Sequence, residues 1–61
     1  MDETLALALR VFFATIAPRV MDPMIERAIE KVNDVVRQVA NGHLEPDAGA
    51  SYIRDVITVL S

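Results

Sequence analysis

Apolar residues recur at steps of three and four between Ile25 and Val39. Ile25, Ala28, Ile29, Val32, Val35, Val36 and Val39 fall on one face of a 3.6-residue helix. Glu26, Arg27, Glu30, Lys31, Asn33, Asp34, Arg37 and Gln38 fill the opposite face. Asp22 stands where a carboxylate accepts hydrogen bonds from the free amides of a first turn, and Pro23 at the first helical position forfeits no bond. Asn41-Gly42 supplies the stop, because glycine takes the left-handed conformation that ends many helices. The pattern predicts a helix over about 23–41. Its four valines lower the intrinsic propensity, so burial of the apolar stripe has to carry its stability.

Residues 3–17 predict a first helix of a different kind. Leu5, Leu9, Phe12 and Ile16 make one stripe with Phe13 beside it, while Leu7 and Val11 point to roughly the opposite side. Glu3 and Arg10 leave only a narrow polar strip. A helix apolar nearly all round is normally buried on more than one side, and two other short helices do not surround it. The spare face is therefore expected to be covered by a second copy of the chain or by a docked partner. On this expectation a charge at Leu7 or Val11 breaks assembly.

Residues 46–60 predict a third helix, opened by Pro46 with Asp47 in its first turn. Ala50, Ile53, Ile57 and Leu60 form one stripe, and Tyr52, Val56 and Val59 form a second. The β-branched run Val56-Ile57-Thr58-Val59 has strand propensity, but strict alternation fails and no second strand exists to pair with it. Gly49 weakens the first turn by about 1 kcal/mol relative to alanine and permits the close approach of another backbone. The connections 18–22 and 42–46 are short, which favours antiparallel neighbours. Val20 and Leu44 are placed to fold back onto the core as staples. The fold expected is all-α: three short helices, about 3–17, 23–41 and 46–60, in one small domain over 1–61, a bundle completed by oligomerisation.

Composition narrows the function classes. The chain has 61 residues, no cysteine and one histidine. Scaffolds this small usually add disulfides, a metal or a partner chain; disulfides and thiolate sites are excluded here, and His43 has no second ligand at convincing spacing, which leaves the partner chain. Apolar residues make up 52% of the chain, high for a soluble monomer of this size and too high for disorder. Net charge is −3 and no segment is basic, so a nucleic-acid footprint is not expected. The Arg27/Lys31/Gln38 ridge also carries Asp34 and reads as a solvated face. Asp2 and Glu3 stand where a signal peptide is positive, and the following run is too short to span a bilayer, so the default compartment is cytoplasmic.

The sequence contains no nucleophile–base pair, metal spacing or phosphate loop, so an enzyme is not expected and no cofactor is implied. The reading is a non-enzymatic helical protein-interaction module that self-associates, a homodimer being favoured, and binds another protein. Its role would be that of an adaptor, an inhibitor or an assembly subunit, such as a small viral or accessory factor. Its interface residues are expected to be Leu7, Val11, Phe12, Phe13, Tyr52, Val56 and Val59, although core burial is the ordinary explanation for the two phenylalanines. A membrane-surface helix is the first alternative, weakened because the first helix has one cation, Arg10, beside the acids Asp2 and Glu3 rather than a cationic polar face. A helix-turn-helix nucleic-acid-binding dimer is the second, weakened because Arg54 is the only basic residue of the third helix.

Overall fold

In the computed structural model, which describes residues 2–61, each predicted stop and start is where the chain changes direction. Helix α1 spans Glu3–Ile16, a short 3-10 turn follows over Ala17–Arg19, α2 spans Pro23–Ala40 and α3 spans Pro46–Leu60. No strand forms among the described residues, and the β-branched end of α3 stays helical. No helix among them is long and apolar enough to cross a membrane.

The ends are fixed by local chemistry. The Asp2 carboxylate accepts from the amides of Thr4 at 2.9 Å and Leu5 at 3.2 Å, capping α1 directly before its expected start at residue 3. Asp22 accepts from the Met24 amide at 2.9 Å, with Pro23 directly after it. At the far end of α2, Gly42 adopts φ +78°. Its amide donates to the Val39 carbonyl at 3.1 Å and the His43 amide donates to the Gln38 carbonyl at 2.9 Å. That pair of bonds is the Schellman closure, and it turns the chain straight into α3.

Packing follows the size of the buried side chains. Leu5, Phe12, Ile25, Val32, Ala50 and Ile53 are sealed from solvent, and Ala8, Ile16, Ala28 and Leu60 complete the core. The closest backbone packing is α1 on α3, with α2 on α3 next; α1 and α2 stand further apart. The short 18–22 connection makes α1 and α2 antiparallel, as expected, without making them the closest pair. Ala8 on α1 and Ala50 on α3 are small and buried, which lets these two helices come close, whereas the core side chains Phe12 on α1 and Ile25 and Val32 on α2 are bulkier. A Cβ built at Gly49 would lie 2.9 Å from Val39 Cγ2, 3.3 Å from Val35 Cγ1 and 3.7 Å from Leu5 Cδ1, so what the glycine admits is a pair of valines rather than a bare backbone. Leu5 meets the start of α3 and Arg19 meets its end, which makes α1 and α3 parallel and α2 antiparallel to both. The two staples divide: Leu44 is half-buried, whereas Val20 is 57% exposed.

Arg19 ties one end of the bundle together. Its Nη1 donates to the Leu60 carbonyl at 2.7 Å, and its Nη2 lies 3.3 Å from Asp22 Oδ2. One guanidinium thus neutralises the negative end of α3 and holds the residue that caps α2. The Met24 amide first, and Arg19 second, hold the Asp22 carboxyl below its ordinary value of 3.8. A carboxyl whose pKa is lowered by folding adds stability above its unfolded pKa and loses it as pH falls through the folded one. Asp22→Asn is accordingly expected to be less stable than the parent chain at pH 7. The two should converge as pH falls below 3.8, a result that urea midpoints at the two ends of this range would check. An unchanged gap across that range would mean that the charge of Asp22 contributes nothing.

Candidate functional site

All of the buried side chains are apolar, and no buried polar atom lacks a partner among the described residues. No three His, Asp or Glu side chains among them gather as a metal site. His43 lies exposed in the turn between α2 and α3. The features left to interpret are apolar surfaces.

Two grooves flank the outward ridge of α3. The first lies between α2 and α3, encloses about 350 Å³ and is floored by Ala28, Val56 and Leu60. Met24, Tyr52 and Val59 stand along it, exposed by 58%, 39% and 81%. Its α2 edge carries Arg27 and Lys31 and its α3 edge carries Asp55. None of these three charges has an ion-pair or side-chain hydrogen-bond partner among the described residues, where the ion pairs are Arg19–Asp22 and Arg37–Asp34. The second groove lies between α1 and α3 and encloses about 370 Å³. Leu7 and Val11 on α1 face Ile57 on α3 across it, and Arg54 is its one charged residue.

The seven residues expected to form one interface are therefore divided. Tyr52, Val56 and Val59 line the α2–α3 groove, and Leu7 and Val11 line the α1–α3 groove. Phe13 is half exposed but lies outside both; two positions from Val11, it is turned roughly 160° away around α1. Phe12 does not belong with the exposed set. It is fully buried in line with Leu5 and Ile16, and presents its ring edge-to-face to Phe13 at 5.4 Å between centroids.

Sequence reasoning missed Met24 and its neighbour Met21, which is 91% exposed at the same end of the bundle. A signal was available for Met24: extending the Ala28 flank of α2 back by one turn places it beside the apolar stripe. It also missed Ala8 as a core residue, because a small side chain adds little to a hydrophobic periodicity. The chain matches no known protein-family model, no curated protein and no solved structure.

Proposed function

We propose that this protein is a non-enzymatic interaction module that self-associates and also binds another protein. The observation that carries the reading is the pair of apolar grooves beside α3, with Met24, Val59, Leu7 and Val11 each more than half exposed. Full burial of such a side chain is worth about 1.5–3 kcal/mol, and this bundle is too small to cover them itself. Contiguous exposed apolar surface on a small domain is the usual sign of a protein contact. With two grooves, one can be filled by a second copy while the other stays open to a different protein, as an adaptor or an assembly subunit requires.

The test is native mass by light scattering over a wide concentration range. The expected result is a dimer that dissociates on dilution while the chain remains helical. A helical monomer at every concentration would remove the self-association half of the reading and leave both grooves to other proteins.

A further inference from the structure

We propose that the occupant of the α2–α3 groove is a second copy of this chain, related by a two-fold axis that runs along the groove. This rests on the self-association proposed above and adds which face is used and how the copies are oriented. The argument is the placement of charge. The α2 edge is positive, through Arg27 and Lys31, and the α3 edge is negative, through Asp55. All three are exposed and lack ion-pair partners among the described residues.

In a two-fold dimer each residue meets its counterpart's partner reciprocally. Two axes are open to a face built from a pair of antiparallel helices. An axis running across the helices sets α2 against α2 and brings Arg27 and Lys31 onto their own copies, like charge on like. An axis running along the groove sets α2 of each copy on α3 of the other. Arg27 and Lys31 then face Asp55 of the second copy, twice over, while Val56, Val59 and Met24 close the middle. The charges select the second axis and a four-helix core with the two α2 helices parallel. The α1–α3 groove has no such self-complementarity, because Arg54 is its only charge and no acid lines it. The assembly face thus moves from Leu7 and Val11, where the spare face of the first helix suggested it, to the opposite side of α3.

The experiment is a charge exchange read by light scattering and analytical ultracentrifugation at low salt, where rim pairs are least screened. R27E/K31E and D55K are each expected to raise the dimer dissociation constant by about tenfold or more, because two symmetric contacts change from attraction to repulsion. An equimolar mixture of the two variants is expected to regain the wild-type affinity, since each chain then offers the sign that the other lacks. Helical circular dichroism of each variant alone separates loss of association from loss of folding. If the reversals leave the dimer intact, or abolish it without rescue on mixing, the proposed face is wrong. If Leu7→Glu dissociates the dimer while the charge variants do not, self-association stands and the assembly face is the α1–α3 groove. If the wild-type chain is itself monomeric at all concentrations, the self-association reading fails, and this proposal with it.

Discussion

Phe12→Ala is expected to leave the chain largely unfolded at 25 °C, whereas Phe13→Ala should keep the native helicity and change the melting behaviour little. The two side chains are adjacent and chemically identical, so the contrast isolates position. Phe12 is sealed within the core, beside Leu5, Ile25, Val32 and Ile53 as the largest of the fully buried side chains. Truncating such a ring removes its transfer free energy and leaves a cavity, a loss of about 3–5 kcal/mol. A single core in a domain this small supplies about that much in total. Phe13 keeps half its surface in water and stands in a T-shaped pair with Phe12. Its removal forfeits part of one aromatic pair, about 1 kcal/mol or less. Thermal melts followed by circular dichroism would check both variants. If Phe13→Ala were the more damaging, α1 would have to be rotated about its axis relative to the structure described.

This pair also shows where the sequence stops being legible. The helices could be bounded from local chemistry alone, because Asp22-Pro23, Asn41-Gly42 and Pro46 each fix a backbone conformation where they stand. The direction in which each helix faces is another matter. The amphipathic α2 has one apolar stripe, and that stripe is the one that packs. Helix α1 is apolar almost all round: its stripe of Leu5, Leu9, Phe12 and Ile16 does turn inward, but nothing local says what lies against Leu7, Val11 and Phe13. The same ambiguity placed Tyr52, Val56 and Val59 in one set with Leu7 and Val11. Only the closing of three helices decides that these residues lie on two different sides of α3. The Arg19 clamp was out of reach for a further reason: its bond to Leu60 joins positions 41 residues apart, and no local pattern announces it.

Gly49→Ala is expected to destabilise the bundle, against the usual gain from replacing a helical glycine. Outside a packed seam, alanine is better than glycine in a helix by about 1 kcal/mol. At this position the new Cβ would stand 2.9 Å from Val39 Cγ2 and 3.3 Å from Val35 Cγ1. Neither methyl group can swing away cheaply, because valine in a helix is held to one dominant rotamer. The strain must then be relieved by moving α3 away from α2. Overpacking of this kind costs about 1–3 kcal/mol, which exceeds the propensity gain over most of its range and leaves a net loss of up to about 2 kcal/mol. A loss of that size would shift the melting temperature of a domain this small by several degrees. The cause can be separated from the size of the effect by a double-mutant cycle with Val39→Ala. Val39→Ala alone opens space and is expected to destabilise; combined with Gly49→Ala, it should lose less than the sum of the two single losses, because the introduced methyl occupies part of the vacated space. Strict additivity would mean that the contact between the two positions is not the source of the penalty. The same seam bears on association, since α2 and α3 are the two walls of the groove that carries Arg27, Lys31 and Asp55. Spreading them changes the distance between its positive and negative edges, and Gly49→Ala should therefore weaken the proposed dimer as well as the fold, even though residue 49 is buried and does not line the groove.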